Sequence, residues 1–253
     1  MLGVGRGADN PTSVKNIVTK SKEVKTGPIW QGRHCKRLKD LKLAHGMCSD
    51  ALKMLLSQQD SYKMDITAIQ EVRWTGEGII DKKNHTMFYS SDKKHHMFGT
   101  GFIVNKNIKH LVTDFKAKTP RICKIHVRVL FFKYSCGCVN APTEEKDDDE
   151  KDNFCEDLNQ IYEECPKRDI KIIIGDLNVK VGQEEMYRPI TRMYSLHSLS
   201  NDNGIRLLNF ACSKNMVVAS TLFNHKDIHK MTWRSPDGKT FSQIDHFLID
   251  ERH

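Results

Sequence analysis

One segment constrains this chain more than any other: Lys171-Ile172-Ile173-Ile174-Gly175 runs directly into Asp176-Leu177-Asn178. Consecutive isoleucines closing on a glycine read as a buried strand, and a buried strand needs apolar layers against it. The strand delivers a carboxylate at its end, and strand ends are rigid platforms that can hold acids convergent in one cleft. Two further segments share the arrangement: Glu71 follows Ile66-Thr67-Ala68-Ile69, and Asp245 lies within the apolar stretch Gln243 to Ile249. A single acid at a strand end is more often a turn or a helix cap than a catalyst. Each of the three therefore gains weight only from its neighbours.

The rest of the chain supplies layers for such strands. Ser49 and Asp50 suit the start of a helix through Leu52, Met54, Leu55 and Leu56, and Asn203-Gly204 opens another through Leu207, Leu208, Phe210 and Ala211. Gly101 to Val104, Ile122 to Val127, Phe131 to Val139 and Met216 to Ala219 have the apolar, often alternating character of sheet strands. The acidic run from Glu144 to Asp152 precedes Phe154, Leu158, Ile161 and Tyr162, so it reads as the solvated start of a helix whose dipole favours carboxylates. It lacks the Asp-x-Asp-x-Asp-Gly order of a calcium loop. With 253 residues and 38% hydrophobic content the chain can bury one large core. Residues 1–38 are polar and basic and are expected to form a disordered arm, leaving 39–253 as the domain.

A formal net charge of +8 favours polyanionic partners such as nucleic acid. Lys82-Lys83, Lys93-Lys94-His95-His96 and Lys116 to Lys124 are either a phosphate-tracking rim or a solvated loop surface. The eight cysteines have no repeating spacing and no Cys-x-x-Cys pair, which points to a reduced intracellular setting, nuclear or cytoplasmic, and away from zinc. No stretch reaches the ~18 apolar residues of a membrane span or forms a signal-peptide core, so no membrane partner is expected.

The neighbours of the acids carry a resemblance. Ile69-Gln70-Glu71-Val72-Arg73-Trp74, Asn140-Ala141-Pro142-Thr143, Gly175-Asp176-Leu177-Asn178 and Gln243-Ile244-Asp245-His246 occur in the order of the motifs of the endonuclease/exonuclease/phosphatase superfamily. The stretches Asn201 to Phe210 and Asp227 to Gly238 are similar to its retrotransposon-type endonucleases, so the resemblance covers roughly residues 40 to 253. It implies a four-layered α/β sandwich of two mixed sheets flanked by helices, incomplete at the C-terminus. It also implies hydrolysis of DNA phosphodiesters with magnesium or manganese; the sequence leaves the oligomeric state open, with a monomer favoured.

By the same resemblance Glu71 binds the metal, a hard oxygen ligand for an ion that keeps most of its waters. Asp176 orients or deprotonates the attacking water or assists the leaving oxygen. Asn178 bonds a phosphoryl oxygen, and Asn140 stands where the family has Tyr or His. Asp245 orients a catalytic histidine. Arg73 and Trp74 lie near the scissile bond, and Trp233 either stacks on a nucleotide or packs in the core. Two departures accompany the match: the family's Ser-Asp-His motif is absent from these residues, and its Asn-bearing first strand is missing around Leu41 to Ser49. Three functions stay open on this reading: a DNA endonuclease, a non-catalytic remnant that binds nucleic acid or protein, and a phosphoesterase acting on inositol phosphates or phospholipids.

Overall fold

A computed structural model describes residues 17–20, 49–95 and 97–252. Most of the expected arm and the region before Ser49 lie outside these residues. Ile17–Lys20 does not: it forms an edge strand, β1, where the sequence suggests no structure, and its Ile-Val-Thr run suits an extended backbone.

The first sheet is built from β1, β2 (Ile66–Gln70), β3 (Glu77–Asp81), β4 (His85–Ser90) and β5 (Thr100–Asn105), in the order β1-β2-β5-β4-β3. Helix α1 (Ser49–Ser61) precedes β2. The second sheet takes β6 (Val112–Thr119), β7 (Ile122–Arg128), β8 (Lys133–Asn140), β9 (Ile170–Asp176), β10 (Met216–Val218) and β13 (Asp245–Asp250), in the order β10-β13-β9-β8-β7-β6. Helices α2 (Asp148–Glu163) and α3 (Asp202–Ser213) cover its outer face, and α4 (Asp227–Lys230) leads to a ribbon of β11 (Trp233–Arg234) and β12 (Phe241–Ser242). Both large sheets are mixed: β1 runs parallel to β2, β8 runs parallel to β9, and their other pairs are antiparallel.

Three apolar clusters hold these layers together. Ile66, Ala68, Phe102 and Val104 of the first sheet meet Cys123, Ile125, Cys136, Cys138, Ile172 and Ile174 of the second, forming the core between the sheets. On the outer face of the second sheet, Leu158, Ile161, Leu207, Leu208 and Ala211 of the helices pack on Ile122, Val139, Ile173 and Leu248. Leu52 of α1 meets Ile69, Met87 and Ile103 on the far side of the first sheet. Burying roughly 2 kcal/mol of transfer free energy per large aliphatic side chain in each seam favours the layered arrangement. The sequence therefore gives the four-layered α/β sandwich that the motifs imply.

The differences are local. Strands β3, β4 and β6 are not apparent in the sequence. Leu130 to Phe132 form a tight turn, so β8 starts at Lys133 instead of Phe131. The acidic run is the solvated helix entrance expected: its carboxylates are largely exposed, Asp147 caps α2 by accepting from Glu150 N, and Arg206 of α3 pairs with Asp148 at 3.0 Å and with Asp152.

Candidate active site

Alternation along a strand decides which side chains share a face. Ile170, Ile172 and Ile174 belong to the core between the sheets, so their row on β9 continues to Asp176. Cys136 and Cys138 lead in the same way to Asn140, while Ile249 and Phe247 lead back to Asp245. The register sets these three ends side by side, Asn140 opposite Asp176 and Asp176 opposite Asp245. Three apolar rows thus turn polar at one level, at the open end of the sandwich.

Glu71 reaches that end from the other sheet. The Cys138 thiol donates to Ile69 O at 3.3 Å and accepts from Gln70 Nε2 at 3.3 Å, which ties the end of β2 over the end of β8. Beyond β2 the backbone leaves the strand sharply: Glu71, Arg73 and Phe98 adopt φ of 54°, 51° and 59°, a left-handed conformation costly for residues with a Cβ. Val72 N and Arg73 N donate to Gly99 O at 3.2 Å and Phe98 O at 2.9 Å, so two strained segments brace each other. Gly99, at φ 111°, admits no side chain because a Cβ would overlap Ser91 Oγ. Within this brace Arg73 Nη2 lies 3.4 Å from Glu71 Oε2, and the Glu71 side chain is only 15% exposed.

Arg121, in the turn between β6 and β7, joins the halves of the mouth. Its guanidinium lies 3.8 Å over the Phe98 ring, donates to Asn140 O at 3.2 Å, and pairs with Glu150 at 2.6 Å. Its own carbonyl accepts from Asn140 N at 2.9 Å, so the end of β8 is fixed from both sides.

Asp176 accepts from Asn178 N at 3.1 Å, and Asn178, itself left-handed at φ 49°, donates one amide hydrogen to Ala141 O at 2.8 Å. Asn203 of α3 holds the carbonyls of Pro142 and Asn178 at 3.1 and 3.3 Å. Glu144 in turn accepts from Asp202 N, Asn203 N and Asn201 Nδ2, closing the start of α3. On the other flank Thr232 Oγ1 accepts from Ile244 N at 2.9 Å and Asp245 N at 3.2 Å. Arg121, Asn203 and Thr232 carry no sequence signal as anchors beyond their places inside or beside the motifs.

Two histidines lie close to Asp245, and both serve structural bonds. His246 faces the other side of the sheet, buried, with Nε2 3.3 Å from Val179 O and Nδ1 2.8 Å from Ser220 Oγ. Burial drives its pKa down to about 4, which keeps the ring neutral. His197 Nε2 accepts from Gln243 N at 3.1 Å, and burial lowers its pKa as well.

The residues expected to touch nucleic acid separate. Arg73 is paired to Glu71, and Trp74 packs edge-on against Tyr89 with ring centroids 5.0 Å apart, beside the α1 cluster. Trp233 stays 37% exposed on β11, next to the Thr232 anchor. The Lys116 to Lys124 segment is no open rim: Lys116 and Lys124 pair with Glu164 at 2.8 and 3.7 Å, and Lys118 bonds Gln160 at 2.6 Å.

Among the described residues no group of three or more His, Cys, Asp or Glu gathers as a metal cage. Glu71 nevertheless fits a hard divalent ion that retains its waters, and next to it in the chain the buried Gln70 Oε1 has no hydrogen-bond partner. A carboxylate and an amide oxygen are donors suited to magnesium or manganese and not to a soft ion.

Residues 47–253 match the model of the Endonuclease/Exonuclease/phosphatase family, and the chain belongs to that family. Craniofacial development protein 2 of Tragulus javanicus is 32% identical over 201 residues, covering 79% of this chain and 35% of that protein. The protein of the same name from Bos taurus is 31% identical over 79% of this chain and 34% of its own length. This chain thus spans about a third of the curated relatives it matches. Among solved structures, the endonuclease domain of TRAS1, a telomere-specific non-LTR retrotransposon, shares the fold at TM-score 0.53 and 14% identity, with 81% of each chain covered. The 3' phosphatase NExo from Neisseria, bound to a product DNA hairpin, aligns at TM-score 0.57 and 14% identity over 81% of this chain and 83% of its own.

Proposed function

We propose that this chain is a divalent-metal-dependent phosphodiester hydrolase of retroelement origin that nicks DNA. The observation that carries the reading is the row Asn140, Asp176 and Asp245 on three adjacent strands, with Glu71 tied across from the other sheet. Relatives named as a retrotransposon endonuclease and a DNA-bound phosphatase support nucleic acid as the substrate class.

Glu71, assisted by the Gln70 amide oxygen, would hold magnesium or manganese, and such an ion neutralises phosphoryl charge when bound. Asp176 is rigidly set by its bond to Asn178 N and can take a proton from water or give one to the departing oxygen. The second amide hydrogen of Asn178 is aimed by the Ala141 bond and can donate to a phosphoryl oxygen. Asn140 adds a neutral donor beside Asp176. Asp245, its backbone fixed by Thr232, would orient a basic group. Arg73 and Trp233 flank the mouth as phosphate and base contacts, while Trp74 acts only through packing.

A second reading, a non-catalytic fold that binds nucleic acid or protein, is favoured by one observation: His246 and His197 are both spent on structural bonds. Plasmid nicking separates the two. The purified chain is expected to relax supercoiled plasmid with magnesium or manganese, and Glu71→Ala and Asp176→Ala are each expected to lose at least about a hundredfold. Failure of the parent where a longer relative succeeds establishes the non-catalytic reading, unless a version extended by a Ser-Asp-His strand cuts. Turnover of a phosphoinositide well above DNA cleavage would move the assignment to a lipid or inositol phosphoesterase.

A further inference from the structure

One set of exposed cations gathers at the pole opposite the mouth. At the mouth, Arg73 and Arg121 are each engaged by an acidic side chain. At the opposite pole the strands bring exposed Lys82, Lys83, Lys106, Arg128, Lys133 and Arg168 to the same end of the two sheets, where Asp81 pairs with Lys109 and also draws on Lys106. Their common location follows from the backbone. Lys106 N donates to Asn84 O at 2.8 Å, Val112 pairs with Val127, Arg128 pairs with Lys133, and Tyr134 pairs with Ile170, just after Arg168.

An apolar tip rises from the same pole. Val129 and Phe132 exchange backbone hydrogen bonds at 2.8 and 3.1 Å, which makes Leu130-Phe131 a two-residue hairpin turn. Leu130 and Phe131 are each 77% exposed and Phe132 is 51% exposed. Scattered exposed apolar residues are ordinary, but three in succession on a turn beside a cluster of cations fit a particular occupant.

We propose that this pole docks on an anionic lipid bilayer, with Leu130, Phe131 and Phe132 entering the apolar layer and the surrounding cations meeting the headgroups. Apolar insertion combined with a basic surround is the composition that binds acidic membranes peripherally. Among the described residues no helix is long and apolar enough to span one, so the contact is a surface one. This differs from the sequence expectation of no membrane partner, which rested on the lack of a span. Nucleic acid fits the tip less well. The eight residues of β8 separate it from the mouth by roughly 25 Å. Docked this way, the mouth points away from the bilayer, so headgroups of that membrane do not reach Asp176.

Vesicle sedimentation of the whole chain tests the proposal. Vesicles containing about a third phosphatidylserine are expected to pellet the protein, pure phosphatidylcholine vesicles are not, and salt is expected to release it. Replacing Leu130 and Phe131 together by Asp is expected to weaken binding at least tenfold with an unchanged circular-dichroism spectrum. Each of Lys82→Gln and Lys133→Gln is expected to weaken it about fivefold. A Phe131→Trp variant is expected to show a blue-shifted emission on anionic vesicles relative to the parent. The proposal falls if anionic vesicles leave the chain in solution, or if the aspartate variant binds as the parent does. It falls equally if the new tryptophan responds to an oligonucleotide or to self-association and not to lipid.

Discussion

Acidification should destabilise this fold through one imidazole. His246 is fully enclosed by β13, Val179 and Ser220, and its pKa falls from an ordinary 6.5 to about 4, chiefly because burial disfavours the charged ring. Above pH 6.5 the ring is neutral in both the folded and the unfolded chain and has no effect on the pH slope. As pH falls below 6.5 the unfolded chain takes up a proton that the folded chain refuses, so stability drops until the folded ring also titrates near 4. At ~1.4 kcal/mol per pH unit, that interval is worth about 3 kcal/mol. His85 and His197 have pKa values lowered by burial and act in the same direction, so the parent's slope alone does not isolate His246. Urea unfolding of the parent and of His246→Gln across pH 7 to pH 4 does, because every other group cancels in the difference. The variant is expected to start less stable and to lose about 3 kcal/mol less than the parent over that range. Parallel curves would show that His246 is charged or solvated in the fold, and the account of a neutral, structural histidine would fail.

Other perturbations test the framework of the mouth. Gly175→Ala drives a Cβ into the Val139 carbonyl on the adjacent strand and is expected to cost about 2–3 kcal/mol, read as a lowered urea midpoint; an unshifted midpoint would contradict the strand spacing. Thr232→Val removes the shared acceptor of Ile244 N and Asp245 N, with an expected loss of about 1–2 kcal/mol and faster hydrogen exchange at both amides. Arg121→Ala gives up the Phe98 stack, the Asn140 bond and the Glu150 pair together, for about 2 kcal/mol, and Arg121→Lys should recover only part of it because an ammonium cannot replace the planar stack. Equal stability of the lysine and arginine forms would refute that division.

The strands that reveal themselves in the sequence are those whose burial is written in apolar residues. β9, with Ile172 to Ile174, and β2, with Ile66 to Ile69, are the clearest examples. β4 hides because three of its buried residues are polar, and their partners are supplied by the fold: His85 meets Asp60 at 3.2 Å, Thr86 bonds Asp81 at 2.5 Å and Ser90 donates to Thr119 O at 3.0 Å. β3, Glu77-Gly78-Ile79-Ile80-Asp81, is an edge strand with an exposed face and little apolar signal. The acids of the mouth are legible because they end apolar rows, but the residues that aim them are not. Thr232, Asn203 and Arg121 act across 12 to 61 residues of chain, a pairing that local pattern does not encode. For the same reason Lys116 looks like a phosphate contact in sequence, while its partner Glu164 is 48 residues away.

The carboxylate of Glu144 gives the fold a dependence in time as well as in space. It satisfies donors at the start of a helix that lies 57 to 59 residues later in the chain. A helix entrance completed from so far away cannot mature by local nucleation alone, since the intervening loop must first close. During synthesis the acceptor emerges before the amides it serves. Asn203, once seated, steadies the Pro142 and Asn178 carbonyls, so docking of this helix is also the step that completes the mouth. Amide exchange at Asp202 and Asn203 would therefore be a clock for the assembly of the site.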